Sequence, residues 1–146
     1  MSQYNAIASV PTSTTASSQD VNPDNPPLIL LAEDNETNIQ TFSSYLTAIN
    51  YRIILARNGL EAIAQAKANL PDIILMDIQM PTMDGLEPTR QIRLDPNLIS
   101  TPIVALTALA MEGDRDRCLA AGMNGYISKP LKLKQLARQI AELLVT

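Results

Sequence analysis

The sequence predicts an α/β fold in which a parallel five-stranded sheet is covered by helices on both faces. Short apolar runs, typical of strands buried on both faces, alternate five times with segments of helical periodicity. Parallel strands need long crossover connections, which the intervening helical segments supply. Because such crossovers are right-handed, we expect a doubly wound sheet with the strand order 2-1-3-4-5, the flavodoxin-like arrangement.

The apolar runs that predict the strands end at polar or turn-forming residues. Residues 73–76 read Ile-Ile-Leu-Met and end at Asp77, and Met80-Pro81 then forces an extended turn. Strand ends in open α/β sheets face the ligand crevice, so Asp77 is presented for chemistry. The predicted strands span residues 28–32, 51–55, 73–76, 102–106 and 126–128.

Capping residues support the first and third of the five predicted helices. Asn35 is the expected N-cap of the first helix. Asp84 is the expected N-cap of the third, with Glu87 in a capping-box position and Pro88 tolerated in the first turn. The predicted helices span residues 37–49, 59–70, 86–94, 110–121 and 133–144.

Apolar stripes at helical spacing predict which side of each helix is buried. The predicted buried residues are Ile39, Phe42, Leu46 and Ile49 in the first helix, Leu60, Ile63 and Ala66 in the second, and Leu133, Leu136, Ile140, Leu143 and Leu144 in the last. The opposite side of the last helix carries Lys134, Arg138 and Glu142. We interpret that side as solvated rather than as a dimer contact, and expect a monomer or a weak dimer.

The length of 146 residues supports one domain with a full core. Residues 1–27 are rich in Ser, Thr, Asn and Pro. They show neither the apolar alternation of a strand nor the apolar spacing of a helix, which predicts a disordered leader or linker. The folded domain is therefore expected to span residues 28–146. Its end directly after the last helix fits a stand-alone protein or a domain cut from a larger one.

Composition excludes several classes of function. A net charge of −4 argues against nucleic acid binding, and no apolar run is long enough to cross a bilayer. The single cysteine, Cys118, cannot form an internal disulfide, which fits a reducing cytoplasm. The chain has no histidine, so Ser-His-Asp and Cys-His catalysis and histidine metal sites are ruled out. Any chemistry must use carboxylates, hydroxyls and lysine.

Acidic residues follow two strands that are expected to be neighbours. Glu33 and Asp34 follow the first strand and Asp77 follows the third, so three carboxylates converge in one crevice. Like charges that close need a cation, and an oxygen-only donor set favours Mg²⁺, with Mn²⁺ as the alternative. Glu33 and Asp34 read equally well as caps of the first helix.

Two further strand ends contribute polar groups to the same crevice. Thr107 follows the fourth strand, and Lys129 follows the fifth. Beside three acids, the lysine can hold a phosphoryl oxygen as a point charge and the hydroxyl can donate to another. The set suits a carboxylate that attacks a phosphoryl group. Each residue alone also reads as ordinary: a solvated lysine, and a hydroxyl satisfying a backbone group.

Four motifs closely resemble the receiver domain of two-component response regulators. They are Leu-Ala-Glu-Asp-Asn at 31–35, Met-Asp-Ile-Gln-Met-Pro-Thr-Met-Asp-Gly at 76–85, Pro-Ile-Val-Ala-Leu-Thr-Ala at 102–108 and Tyr-Ile-Ser-Lys-Pro at 126–130. The resemblance covers the chain from Leu28 onward. The segments around 33–38 and 106–111 look most like receivers attached to hybrid sensor kinases.

The resemblance implies a role for each matching residue. Asp77 looks like the phospho-acceptor, and Glu33 and Asp34 look like the Mg²⁺ acid pair, with the backbone carbonyl of Gln79 as a further metal ligand. Lys129 looks like the phosphate-contacting lysine. Thr107 looks like the switch hydroxyl and Tyr126 like the switch aromatic, although position alone would favour Tyr126 as an ordinary packing residue.

These roles predict a phosphorylation switch that has no separate substrate turnover. Since the chain lacks histidine, an external donor is necessary, apart from small-molecule phosphodonors. The resemblance implies that this donor is a phosphohistidine on a histidine kinase or a histidine phosphotransfer protein. Phosphorylation is expected to change the surface around the fourth helix, fifth strand and fifth helix, which a downstream protein reads in a phosphorelay. The alternative is a phosphohydrolase or phosphotransferase with an aspartyl nucleophile. A flavodoxin-like nucleotide or flavin binder is disfavoured, because no Gly-rich phosphate loop is present.

Overall fold

A computed structural model describes residues 25–80, 85–107, 113–129 and 132–145. Strands and helices alternate as predicted. The strands are β1 (Leu28–Ala32), β2 (Arg52–Ala56), β3 (Ile73–Asp77), β4 (Ile103–Thr107) and β5 (Gly125–Ser128). The helices are α1 (Glu36–Ala48), α2 (Gly59–Asn69), α3 (Leu86–Arg93), α4 (Asp114–Ala121) and α5 (Leu133–Leu144), with a short 3₁₀ helix at Pro96–Leu98.

The five strands form one parallel sheet of order β2-β1-β3-β4-β5, which confirms the predicted fold class. The register aligns Leu31 with Leu55 on one side and with Leu75 on the other. Asp77 pairs with Leu106, and Thr107 pairs with Ser128. Because all strands run in one direction, the residues that follow them meet at one edge of the sheet.

Alternate residues of each strand face opposite sides of the sheet and form two apolar cores. In β1, Leu30 and Ala32 pack with α2, α3 and α4, whereas Ile29 and Leu31 pack with α1 and α5. Buried Phe42 and Leu46 of α1 and Leu136 and Ile140 of α5 complete the second core. Leu133, Leu143 and Leu144 pack against it in partly buried positions. Lys134, Arg138 and Glu142 are exposed, as predicted.

Two residues predicted to be buried are exposed. Ile49 is 41% exposed because α1 ends at Ala48, after which Asn50 adopts a left-handed φ of 76°. Leu60 is 66% exposed because α2 packs on the sheet through its small residues Ala62 and Ala66. Leu60 lies two residues before Ala62, which is about 200° around the helix. The large apolar side chain of Leu60 therefore does not mark the buried face of α2.

The starts of three helices can be compared with the predicted caps of α1 and α3 and with the predicted start of α4. The Asn35 side chain accepts a hydrogen bond from the backbone N–H of Asn38 at 3.0 Å, which confirms the cap of α1. Asp84 lies outside the described residues, and the prediction that it caps α3 is wrong, because α3 begins at Leu86 and its N-cap residue is Gly85, which makes no side-chain cap hydrogen bond. The fourth helix begins at Asp114 rather than at residue 110, because Gly113 has a φ of 95° that a right-handed helix cannot contain.

The hydrogen bonds of the described domain reach back to Asn25, whose side-chain oxygen accepts from Arg52 Nη2 at 3.4 Å. The backbone N–H of Arg52 donates to the carbonyl of Pro27 at 2.9 Å, and its Nε donates to the carbonyl of Pro26 at 2.8 Å. The rest of the predicted leader, residues 1–24, lies outside the described residues. Within the described part of the chain, no helix is both long enough and apolar enough to span a membrane.

Candidate functional site

Backbone hydrogen bonds continue past the strand ends and position the residues that follow them. The N–H of Glu33 donates to Ala56 of β2 at 2.9 Å, and the N–H of Lys129 donates to Thr107 of β4 at 2.6 Å. Ile78, which follows Asp77, likewise donates to β4 at 3.1 Å. The polar residues at this edge are therefore held by the sheet rather than carried on free loops.

Three carboxylates meet at this edge, as predicted. One carboxylate oxygen from each of Glu33, Asp34 and Asp77 lies within 4.8 Å of the others. Glu33 is 1% exposed and Asp77 is 2% exposed, while Asp34 is open to solvent. Two buried acids beside a third are electrostatically unfavourable unless a cation lies among them.

Lys129 supplies part of that positive charge. Its Nζ lies 3.1 Å from Asp77 Oδ2 and 3.3 Å from Glu33 Oε1. The Lys129 side chain is 19% exposed, and the carboxyl groups that it contacts are buried. Charge-assisted hydrogen bonds of this kind hold both carboxylates in fixed positions.

Backbone N–H groups orient the same two carboxylates from the other side. Gln79 N–H donates to Asp77 Oδ1 at 2.9 Å, and Asn35 N–H donates to Glu33 Oε2 at 3.3 Å. Each carboxyl group therefore has one oxygen on a backbone donor and the other on the Lys129 ammonium. This arrangement fixes the rotation of both side chains.

The proximity of the acids changes their affinity for protons. Burial raises the pKa of Glu33 from its ordinary value of 4.5 to about 7, helped by a hydrogen bond to Asp77 and by its charge, and opposed by Lys129. Burial disfavours the charged form of Lys129, but Asp77 and Glu33 outweigh it and raise the pKa of the ammonium. Lys129 is therefore a permanent cation, whereas Glu33 accepts a proton when no other cation is near.

Thr107, Tyr126 and Gln79 occupy the predicted parts of the fold. Thr107 ends β4 at this edge and is fully buried. Tyr126 pairs with Ala105 in the sheet and lines a cavity of about 420 Å³ between α4 and α5, together with Leu119 and Gln139. Gln79 is exposed two residues after Asp77. Their roles stay predictions.

Gly85 is a site residue whose role the sequence did not indicate. Its N–H donates to the carbonyl of Ile78 at 3.3 Å, and a Cβ at this position would lie 2.7 Å from the carbonyl oxygen of Asp77. A glycine is therefore needed for α3 to start against the acid-bearing strand end. The sequence signal that could have indicated this role is the position of Gly85 at the end of the motif at 76–85, which contains Asp77.

The donor set fits Mg²⁺. Three carboxylates converge with oxygen atoms as the only ligands on offer, and hard divalent cations prefer such sites. When both are ionised, the buried acids Glu33 and Asp77 carry more negative charge than one lysine neutralises. Glu33, Asp34 and Asp77 would hold the ion.

Known proteins share this fold and much of this sequence. The family model of the response regulator receiver domain matches residues 29–141. The polar-differentiation response regulator DivK of Brucella anthropi is 42% identical over 115 residues, which cover 79% of this chain and 94% of DivK. The chain therefore belongs to the response regulator receiver domain family, whose members act as phosphorylation switches.

Solved structures give the same result. The receiver domain of the sensor histidine kinase PA1611 from Pseudomonas aeruginosa PAO1, with a magnesium ion coordinated in its active site cleft, is 42% identical with a TM-score of 0.76. The match covers 81% of this chain and 97% of that one. The chemotaxis protein CheY4 of Vibrio cholerae is 27% identical with a TM-score of 0.77, covering 80% and 98% of the two chains.

Proposed function

We propose that this protein is a signalling switch that accepts a phosphoryl group on Asp77 in the presence of Mg²⁺. The observation that carries the proposal is the convergence of Glu33, Asp34, Asp77 and Lys129 at the carboxyl edge of the sheet. A carboxylate fixed beside a cation and a metal site is arranged to attack phosphorus. Membership of the receiver family supports the same chemistry.

In the transfer step, a carboxylate oxygen of Asp77 forms a bond to phosphorus as the bond from phosphorus to the donor nitrogen breaks. The buried position of Asp77 keeps this oxygen poorly solvated, and the Gln79 N–H holds the other oxygen. Lys129 Nζ, now beside Asp77, contacts an oxygen of the incoming phosphoryl group and neutralises its charge.

Mg²⁺ supplies charge neutralisation for the phosphoryl oxygens when it is bound. Glu33, Asp34 and Asp77 would hold it, and the backbone carbonyl of Gln79 is a proposed further ligand. Mn²⁺, with similar ligand preference, is the proposed substitute. Glu33 must release its proton for metal to bind, because the pKa of this carboxyl is raised to about 7 in the metal-free protein.

Thr107 and Tyr126 are proposed to couple the new phosphate to the protein surface. The Thr107 hydroxyl donates to a phosphoryl oxygen, and Tyr126 moves inward into the space that the threonine leaves. Tyr126 already lines a cavity between α4 and α5, so its displacement changes that surface. The α4–β5–α5 surface is where a downstream protein partner is proposed to bind.

The donor is proposed to be a phosphohistidine on a histidine kinase or a histidine phosphotransfer protein. The chain has no histidine of its own that could carry the group. We propose a cytoplasmic protein that acts as a monomer or weak dimer, since α5 presents Lys134, Arg138 and Glu142 to solvent. It works as a stand-alone regulator or as the receiver of a hybrid kinase.

The experiment is incubation with acetyl phosphate and Mg²⁺, followed by intact mass. We expect one phosphoryl group per chain, none in EDTA, and none in Asp77→Asn, which keeps the side-chain shape but lacks the nucleophile. An adduct that persists in Asp77→Asn would overturn the assignment. Steady hydrolysis of a small phosphate ester such as p-nitrophenyl phosphate would instead support an aspartyl phosphohydrolase.

A further inference from the structure

Arg93, in the last turn of α3, donates hydrogen bonds from all three of its side-chain nitrogens. Nε donates to the carbonyl of Gly122 at 2.9 Å, and Nη2 donates to Asn124 Oδ1 at 2.7 Å. Nη1 donates to the carbonyls of Leu98 at 2.9 Å and Thr101 at 2.6 Å. One half-buried guanidinium thus joins the end of α3, the segment before β4 and the turn between α4 and β5.

The turn after α4 is fixed by two further features. The side-chain oxygen of Asn124 accepts a hydrogen bond from the backbone N–H of Ile103 at 2.9 Å. The backbone N–H of Asn124 donates to the Ile103 carbonyl at 2.7 Å. Gly122 has a φ of 109°, and a Cβ there would lie 2.8 Å from Arg93 Cγ. The C-terminal end of α4 is therefore locked to the start of β4 and to Arg93.

The two halves of α4 differ in how deeply their described side chains are buried. Its buried side chains, Cys118 and Ala121, lie in the C-terminal half. Residues 115–117 in the N-terminal half are exposed, and Gly113 before them gives no side-chain cap. Because α4 runs back across the sheet after β4, this less embedded end lies toward the edge that carries Thr107 and Asp77.

We infer that Arg93 is a positioning residue for the switch: it holds the C-terminal end of α4, so that α4 pivots about the Arg93–Gly122 contact when Asp77 is phosphorylated. The inference rests on the proposed function. It adds the direction of the motion, which is a swing of the N-terminal end rather than a shift of the whole helix. The clamp needs the rigid fork of arginine, since its donors point to separate acceptors.

Two distances measure the pivot by pulsed electron paramagnetic resonance. Spin labels are placed at Gln40→Cys on α1 and at either Asp116→Cys or Ala120→Cys on α4, all exposed positions, in a Cys118→Ala background. Residue 116 lies about 9 Å and residue 120 about 3 Å along the helix from Gly122. A pivot therefore displaces residue 116 about three times as far as residue 120 when acetyl phosphate and Mg²⁺ are added.

Equal displacements at the two positions, or a larger one at residue 120, would overturn the pivot. Intact mass on the same samples separates the two claims. Absence of a phosphoryl group on Asp77 contradicts the proposed function, whereas a phosphorylated protein with equal displacements contradicts only the inference. Both outcomes can be measured in the spin-labelled protein that retains Arg93, without any substitution of Arg93.

Substitution of Arg93 tests its part in the motion. Arg93→Met is expected to bring the ratio of displacements from about three toward one, and Arg93→Lys is expected to do the same, because it restores the charge but not the fork. Arg90→Met is the matched control, since Arg90 is exposed on the same helix and its ion pair is with Glu87 at 3.1 Å. If Arg93 only stabilised the fold, its substitution would lower the free energy of unfolding and leave the ratio of displacements near three. That result would overturn the positioning role of Arg93.

Discussion

At the residue scale, the most informative contact is the one that Lys129 makes with two buried acids. Its Nζ lies 3.1 Å from Asp77 and 3.3 Å from Glu33, so in the metal-free protein the ammonium partly occupies the role of a metal cation. Two cations near the same carboxylates repel each other. Lys129 is therefore expected to weaken metal binding while it assists phosphoryl transfer.

This dual role predicts opposite effects of one substitution. Lys129→Met should bind Mg²⁺ roughly tenfold more tightly, because the competing charge beside Glu33 and Asp77 is gone. The same variant should be phosphorylated about 100-fold more slowly, because a preorganised charge on the phosphoryl oxygens is lost. Calorimetric Mg²⁺ titration and the rate of adduct formation by intact mass measure the two effects.

Lys67→Met is the control for a general loss of positive charge, since Lys67 is exposed on α2. It should change neither quantity. Weaker Mg²⁺ binding by Lys129→Met would contradict the competition between the ammonium and the metal.

The raised pKa of Glu33 predicts a pH dependence of stability without metal. Burial and Asp77 raise this pKa from 4.5 to about 7, so the folded state holds a proton on Glu33 that the unfolded state has already lost. The contribution is fully present below 4.5 and is lost as the pH rises toward about 7. In that window Glu33 should lower the free energy of unfolding by roughly 1 kcal/mol per pH unit.

Urea unfolding in EDTA, repeated across this pH range, measures the effect. Glu33→Gln keeps a neutral side chain at every pH and should lack this component, and Mg²⁺ should restore stability to the wild-type protein above pH 7. Identical pH profiles for the wild-type and Glu33→Gln proteins would exclude the proposed protonation of Glu33.

At the element scale, helices α1 and α2 show how far an apolar pattern predicts burial. In α1, the large residues Ile39, Phe42 and Leu46 all face the core, so the stripe predicts burial correctly within the helix, but not for Ile49 beyond its end. In α2, small alanines lie against the sheet and Leu60 points to solvent. The distance between helix and sheet decides whether large or small side chains fit between them. A single sequence does not specify that distance.

A pair of leucine substitutions measures this difference. Leu46→Ala should lower the free energy of unfolding by about 2–5 kcal/mol, because Leu46 is fully buried and its removal leaves a cavity. Leu60→Ala should change it by less than about 0.5 kcal/mol, because Leu60 is mostly exposed. Chemical denaturation of the two variants side by side is the measurement. A large loss in Leu60→Ala would mean that Leu60 packs against the core together with Ile63 and Ala66, as the sequence predicts.

Helix starts were less predictable than helix existence. The first helix was found with its cap, since Asn35 caps through its own side chain, which a sequence states directly. The start of α4 was misplaced because alanines and Met at 108–111 continue a helical pattern, while the left-handed φ of Gly113 interrupts it. A glycine allows such a conformation without requiring it, so the pattern alone did not exclude a longer helix.

At the scale of the whole molecule, the strand order determines what meets at the carboxyl edge. Once the order 2-1-3-4-5 was inferred, β1 and β3 had to be neighbours, so the meeting of Glu33, Asp34 and Asp77 could be predicted. Contacts that depend on side-chain reach could not be predicted from alternation alone. The Arg93 clamp crosses from α3 to the turn after α4, and nothing local to Arg93 indicates its partners.

The two edges of the sheet carry different groups: one carries the site residues, and the other carries the contacts of Arg93. The acids and Lys129 lie at the carboxyl edge, whereas Arg93 ties together the segments at the amino edge, before β4 and before β5. A change at the first edge therefore acts on elements that are held at the second. The core between them is buried on both faces of the sheet.

Locating the phosphoryl group on the chain tests the central claim most directly. The protein is incubated with acetyl phosphate and Mg²⁺, the acyl phosphate is reduced with borohydride, and the peptides are sequenced by tandem mass spectrometry. Reduction converts a phosphorylated aspartate to homoserine, and we predict homoserine at position 77 and its absence in Asp77→Asn treated in parallel. Homoserine at Asp34, or a phosphate retained on Thr107, would contradict the assignment of Asp77 as the residue that receives the phosphoryl group.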